Sequence, residues 1–381
     1  MDETTLPNRV KKRVLVCFGT RPEVIKLAPV VFALRKQPEH FDCIVCSTGQ
    51  HREMVDQALK PFGLKVDIQL DAMRRAGSIG LLTSALFELL DQTFNELNPD
   101  IVVVQGDTTS AFVGAMTAFY RRKRIAHVEA GLRTHDIFSP FPEEVNRVFI
   151  SRIADYNFAP TRLSADNLLH EHVAPEKIQI TGNTVVDALQ YLSNKVTTSI
   201  PDGLNADLQN FIVHHKTILV TSHRRENFGE GLANICRSLL DIVAQLPQAG
   251  IIFPVHLNPN VWQAVHDILG NHPRIRLLEP VDYLTMLYLM NRSYCILSDS
   301  GGIQEEAPSL KKPLLILREN TERPECVDAG CALLVGTDVP KIVGNTLRLF
   351  NDSVFYQSMA ECENPFGEGD AADKIAELLK A

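Results

Sequence analysis

Short apolar runs of three to five residues recur along the chain, each followed by a segment of helical periodicity, and that alternation leaves few folds open. A parallel strand covered by helices on both faces reads as a near-continuous Val/Ile/Leu run, so the pattern predicts β-α units around parallel sheets. In the first half the runs are Val14–Phe18, Cys43–Ser47, Ile101–Val104, Ile125–Val128, Tyr156–Ala159 and Ile178–Ile180. In the second they are Ile218–Thr221, Ile251–Val255, Ile275–Leu278, Cys295–Leu297, Leu314–Leu317 and Leu333–Val335. Between the sets, Ser193 to Lys216 is more polar and contains the turn signal Pro201-Asp202-Gly203. A length of 381 residues suits two domains. The expected fold is α/β: two Rossmann-like domains with parallel sheets, facing a cleft, residues 1–185 forming one and residues 186–365 the other.

Lys and Arg number 38 against 46 Asp and Glu, a net charge of −8, so no long-range field gathers nucleic acid or an anionic membrane, and neither is expected as a partner. Any phosphate contact must come from a few placed cations. No stretch approaches the roughly 18 apolar residues of a membrane span, and the polar, then basic, N-terminus lacks an export signal. Eight cysteines are too sparse for a disulfide scaffold, which predicts reduced thiols and a cytoplasmic location. Cys43 and Cys46 form C-x-x-C, but inside an apolar strand run residues i and i+3 point to opposite faces, so they read as core thiols.

The residues after each run carry the chemistry. Val14–Phe18 leads into Gly19-Thr20-Arg21-Pro22-Glu23, Ile101–Val104 into Gln105-Gly106-Asp107, and Ile125–Val128 into Glu129-Ala130-Gly131-Leu132-Arg133. Ile218–Thr221 leads into Ser222-His223-Arg224-Arg225-Glu226, and Cys295–Leu297 into Ser298-Asp299-Ser300-Gly301-Gly302. Ligands of open parallel sheets bind outside the carboxyl ends of the strands, where these side chains gather. No G-x-G-x-x-G and no P-loop occurs, which argues against a nicotinamide enzyme or a P-loop nucleotidase. Thr20-x-x-Glu23 fits a capping box, and Arg21 with Lys26 near that helix start suits a phosphate. Ser300-Gly301-Gly302 opens another helix with unobstructed amides, Glu306 one turn on can accept from ribose hydroxyls, and Arg323 can clamp a diphosphate. Asp107, Glu129, Glu143 and Glu144 are the carboxylates available for acid/base work, and His223 can donate to a phosphate or act as an acid. His170-Glu171-His172 and His214-His215 lack metal-site spacing, and no metal is expected.

Taken together these motifs resemble the non-hydrolysing UDP-N-acetylglucosamine 2-epimerases. The likeness runs from Phe18-Gly19-Thr20-Arg21-Pro22-Glu23 to Pro365-Phe366-Gly367-Glu368-Gly369, through Gly49-Gln50-His51-Arg52-Glu53-Met54, His127-Val128-Glu129-Ala130-Gly131-Leu132-Arg133 and Pro142-Glu143-Glu144-Val145-Asn146-Arg147. The resemblance implies a GT-B-like fold, a homodimer, and a C-terminal helix, residues 366–381, packing back on the first domain. It also implies interconversion of UDP-GlcNAc and UDP-ManNAc with no cofactor. Carried over motif by motif, Arg21, Lys26, Ser300, Gly301, Gly302, Glu306 and Arg323 would hold UDP, with His223 beside them. Asp107, Glu129 and Glu143 would work at the sugar, and Gln50, His51, Arg225 and His256 would form a neighbouring site for activation by substrate. Val281 and Met286 depart from the Gln and Phe that many relatives place near the uracil, which loosens the identity of the sugar nucleotide. An epimerase of a diacetamido uronic acid relative, a hydrolysing epimerase that releases ManNAc and UDP, a glycosyltransferase and a silent nucleotide-sugar sensor stay open as alternatives.

The chemistry asks for both sets of residues. No carbonyl acidifies C2–H of this sugar, so the anomeric C–O bond must break first or concurrently, giving C1 oxocarbenium character and making C2–H acidic. A carboxylate then completes elimination to a glycal and UDP, and re-addition with protonation from the other face gives the epimer.

Overall fold

The computed structural model describes residues 11–381 except Ala76, Ser199, Asp202, Gly203 and Asn271; the Asp202-Gly203 part of the turn signal and the side chain of Arg225 thus fall outside the described residues. The chain divides into two compact units, one running through Tyr191 and including Phe366–Ala381, the other Leu192–Pro365.

The first unit is built on a seven-stranded sheet. Its strands are β1 (Lys12–Phe18), β2 (Phe41–Ser47), β3 (Ile68–Gln69), β4 (Ile101–Gln105), β5 (Arg124–Val128), β6 (Tyr156–Ala159) and β7 (Ile178–Ile180), in spatial order β3-β2-β1-β4-β5-β6-β7. The second unit has β8 (Lys216–Thr221), β9 (Ala249–Pro254), β10 (Ile275–Leu278), β11 (Cys295–Ser298), β12 (Leu314–Ile316) and β13 (Ala332–Leu334), in order β10-β9-β8-β11-β12-β13. Every pairing between these strands is parallel. Both are therefore doubly wound Rossmann-like sheets, with order reversing between β1 and β4 in one and between β8 and β11 in the other. Each of the twelve apolar runs lies on a strand; β3, two residues long, has no run to announce it.

Burial explains the run-like strands. All of β4 is buried, and Val14 pairs with Ile101 and Val16 with Val103 across the β1–β4 switch. In the second unit Ile218, Val220, Leu297 and Leu315 pack with Ile235, Leu239 and Ile242 of the helix Glu230–Gln245. Each such side chain contributes about 1.5–3 kcal/mol on burial. The helix Ala371–Leu379 is tied within the first unit at both ends: Asp187 Oδ1 accepts from the Ala372 amide at 2.8 Å, and Lys12 Nζ donates to the carbonyls of Leu379 and Lys380 at 3.1 and 2.8 Å.

The cysteine expectation needs one correction. Cys331 and Cys362 form a disulfide, with Cα atoms 5.5 Å apart. Separated by 31 positions in sequence, they meet because the fold brings the residue before β13 beside the second residue after the helix Ser353–Ala360, a proximity no spacing rule reveals. Cys43 and Cys46 are free thiols on β2, half-buried and buried respectively.

Candidate active site

In each unit the reactive side chains stand on loops flanking the switch between the central strands. In the first, β1 ends at Phe18 and the helix Arg21–Arg35 begins three residues later, with Pro22 in its first turn and Arg21 exposed. The Glu23 half of the capping box is made: its Oε2 accepts from the amides of Thr20 at 2.8 Å and Gly19 at 2.9 Å. Across the switch, Asp107 follows β4 at a turn where Gly106 has φ +67, a conformation that suits glycine. The Asp107 carboxylate pairs with Arg147, and its carbonyl accepts from Asn146 Nδ2 at 2.8 Å. Glu129, after β5, is 7% exposed; Lys26 Nζ lies 2.5 Å from one carboxylate oxygen and Gln105 Nε2 donates to the other. Lys26, placed by its motif at the phosphate, therefore engages a carboxylate here.

Glu143 opens the helix Glu143–Ile153 half-buried and has no hydrogen bond or ion pair among the described residues. Glu144 does structural work instead: its Oε1 accepts from the amides of Thr134 and His135 at 3.1 and 3.0 Å, and Arg147 approaches its other oxygen at 3.4 Å. Glu171, in the run flanked by histidines, is the bidentate partner of Arg133 at 2.7 and 2.8 Å. Gln50 Oε1 accepts from Ser110 Oγ of the helix Thr109–Tyr120 at 2.7 Å, and the amide of exposed His51 donates to the Gly19 carbonyl at 2.9 Å, so the pair lies beside the turn after β1.

Sequence reasoning passed over His127. Fully buried on β5, it meets the Gly106 carbonyl through Nε2 at 2.7 Å, and because a carbonyl only accepts, Nε2 carries the proton. Burial, with the charges of Arg133 and Arg147, outweighs that bond and pulls its pKa down to about 4. A neutral imidazole thus fixes the turn that presents Asp107.

In the second unit His223 follows β8, its side chain 42% exposed, with Nδ1 3.1 Å from Asp299 Oδ1. Asp299, also absent from the expected site, is wholly buried after β11 and collects the amides of His223 at 2.9 Å and Arg224 at 3.0 Å, the Ser222 hydroxyl at 2.9 Å and Asn227 Nδ2 at 3.0 Å. Burial works against its charge, but the hydrogen bond and charge of His223 and the amides outweigh it and hold the carboxyl below its usual range. The His256 ring lies 6.2 Å from that of His223.

Ser300 stands at the N-cap position of the helix Gly301–Glu306, its side chain making no capping bond. A Cβ at Gly301 would sit 2.7 Å from Arg323 Nη1, so only glycine admits the guanidinium there, while Gly302 is exposed with nothing nearer than Ser300 Oγ at 3.9 Å. Glu306 is buried and accepts from Tyr283 OH at 2.9 Å; Met286 lies on the same helix as Tyr283, Tyr283–Arg292, and Val281 just before it. Arg323 bonds Glu305 at 2.5 Å and Glu322 at 2.9 Å. Burial opposes the charge of Glu322, but Arg323, Arg318 and Arg224 overcome it and draw its pKa down to about 2. The unit thus presents cations and free amides on a braced acidic base, an arrangement suited to a polyanion.

Doubly wound sheets with charged groups gathered at their switch points define an α/β protein of the kind that handles nucleotide-linked substrates. The family model described as UDP-N-acetylglucosamine 2-epimerase matches residues 33–380. The chain is 48% identical over 373 residues to the UDP-N-acetylglucosamine 2-epimerase of Salmonella typhimurium, covering 97% of this chain and 98% of the relative. Its fold matches the crystal structure of UDP-GlcNAc 2-epimerase from Neisseria meningitidis bound to UDP-GlcNAc with a TM-score of 0.87 at 43% identity, over 96% of this chain and 99% of that one. The Methanocaldococcus jannaschii UDP-GlcNAc 2-epimerase in complex with UDP-GlcNAc and UDP matches with a TM-score of 0.78 at 33% identity, over 96% and 99% of the two chains. The chain belongs to the UDP-N-acetylglucosamine 2-epimerase family.

Proposed function

We propose that this enzyme interconverts UDP-GlcNAc and UDP-ManNAc at C2 without net hydrolysis, by eliminating UDP to a glycal and adding it back. The C1–O bond electrons leave with UDP, a carboxylate takes the C2 proton, and C1=C2 forms; protonation of C2 on the opposite face and return of UDP to C1 complete the epimer. The observation that carries the reading is the set of carboxylates in the first unit, Asp107 and Glu129 following β4 and β5 and Glu143 at the start of its helix, in a family whose relatives are crystallised with UDP-GlcNAc. Arg21, Ser300, Gly301, Gly302 and Arg323 serve the departing diphosphate, His223 assists it, Glu306 takes the ribose, and Lys26 holds Glu129 in place. Gln50, His51, Arg225 and His256 form the site for activating substrate. Location in the cytoplasm and a homodimer complete the proposal. Supporting the dimer, Phe119, Tyr120 and Phe149, 50%, 66% and 53% exposed, stand on the packed helices Thr109–Tyr120 and Glu143–Ile153 as apolar surface that a second copy would cover.

Incubation with UDP-GlcNAc and resolution of the products by NMR tests the reading. UDP-ManNAc is the expected product. Free ManNAc with UDP would assign a hydrolysing enzyme instead, and unchanged substrate would remove the activity altogether.

A further inference from the structure

Glu23 does more than cap its helix. A capping box works equally well with glutamine, and such a residue normally sits at the surface. Here the carboxylate is 1% exposed and has donors on both oxygens. Oε2 takes the amides of Gly19 and Thr20, and Oε1 takes the Thr108 hydroxyl at 2.8 Å, 85 positions away on the far side of the switch point. Thr108 Oγ already accepts from the Ala111 amide at 3.0 Å, so its proton points to Glu23. Burial pushes the Glu23 pKa up to about 7 in spite of these bonds, a penalty that capping alone does not require.

The joined loops have little slack. A Cβ at Gly19 would lie 2.3 Å from both Thr48 Oγ1 and Ser110 Oγ, and on the other side of Asp107 the Gly106 amide is held by the Val128 carbonyl at 3.0 Å and its carbonyl by His127. We infer that Glu23 is a positioning residue for the reaction: its carboxylate clamps the Gly19–Thr20 turn, which carries Arg21, to Thr108, and so fixes the Asp107 carboxylate relative to Arg21. The inference rests on the proposed function, which gives Arg21 and Asp107 their tasks.

Glu23→Gln, Thr108→Val and the double variant of the full chain separate the possibilities, with kcat and KM for UDP-GlcNAc, UDP affinity and thermal melting measured for each. In Glu23→Gln the amide oxygen can keep both backbone donors and the NH2 group can donate to Thr108 Oγ, so the tie survives; in Thr108→Val the hydroxyl is gone and the tie is lost, while Glu23 keeps both backbone donors. In Thr108→Val, KM and UDP affinity should stay within about threefold, while kcat falls about 10- to 100-fold, the scale of a small misplacement of a reacting group. The double variant should be no slower than the slower single, because both act on one link. Unchanged kcat in a folded Thr108→Val, or single effects that multiply in the double, would overturn the clamp while leaving the epimerase reading intact. A wild-type chain without turnover would overturn both.

Discussion

The two units share a strand order and a placement of charged groups beside the switch point, yet their loops have opposite chemical character. The first collects carboxylates held against cations, Asp107 on Arg147 and Glu129 on Lys26. The second keeps its acids as bracing, Asp299 buried beneath His223 and Glu322 half-buried among arginines, and presents cations and amides. Topology therefore decides where a site forms, and the residues following each strand decide whether it moves protons or binds an anion.

The sharpest way to break that division is to remove proton transfer and phosphate binding separately. Asp107→Asn, Glu129→Gln and Glu143→Gln should each lose about 10²–10⁴ in kcat, the usual cost of a general acid or base, with UDP affinity retained. Steady-state kinetics alongside calorimetric titration of UDP checks this. Loss of UDP binding in the carboxylate variants would make the first unit part of the diphosphate site and end the contrast.

Titration should also set the units apart. Glu23 has its pKa raised above the unfolded value, so its contribution to stability is present in acid and is lost as pH rises through about 7. Glu23→Gln has no such titration, so its stability relative to wild type should rise as pH goes from 5 to 8. Asp299 has the opposite sign. Its stabilisation is present at neutral pH and lost only as acid protonates it below the usual carboxylate range, so Asp299→Asn should melt earlier than wild type at pH 8. Melting curves from pH 5 to 8 would show whether the two variants diverge in this way.

Arg323→Ala and Arg21→Ala should weaken UDP binding by about 1–3 kcal/mol, the range for charge-assisted hydrogen bonds. Arg323→Ala should also lower the melting temperature, since Glu305, 1% exposed, would lose its ion pair with that guanidinium. Among the described residues Arg21 has no such partner to strand, so its variant should melt like wild type. The smallest effect expected is at Gln50→Ala: a sigmoidal rate curve in wild type that becomes hyperbolic, with little change at saturating substrate.

How far the residues alone disclosed this molecule follows from the reach of each interaction. Parallel strands buried on both faces leave uninterrupted apolar runs, so the longer strands could be read directly and β3, too short for a run, could not. Loop carboxylates and the Ser300-Gly301-Gly302 turn were legible because they follow strands immediately. Asp299 was visible as a residue but not as a support, because its donors Ser222, His223, Arg224 and Asn227 lie 72 to 77 positions earlier and meet it only across the β8–β11 switch. The Lys26–Glu129 pair, 103 positions apart, and the Cys331–Cys362 bond stayed hidden for the same reason.

The central claim is that the first unit's acids move a proton at C2 while the second unit's cations hold departing UDP. Turnover of UDP-GlcNAc in D2O, with the product read by NMR, tests it most directly. Elimination and re-addition return a proton from an enzyme acid that exchanges with solvent, so the UDP-ManNAc formed should carry deuterium at C2. Product with hydrogen retained at C2 would contradict the account.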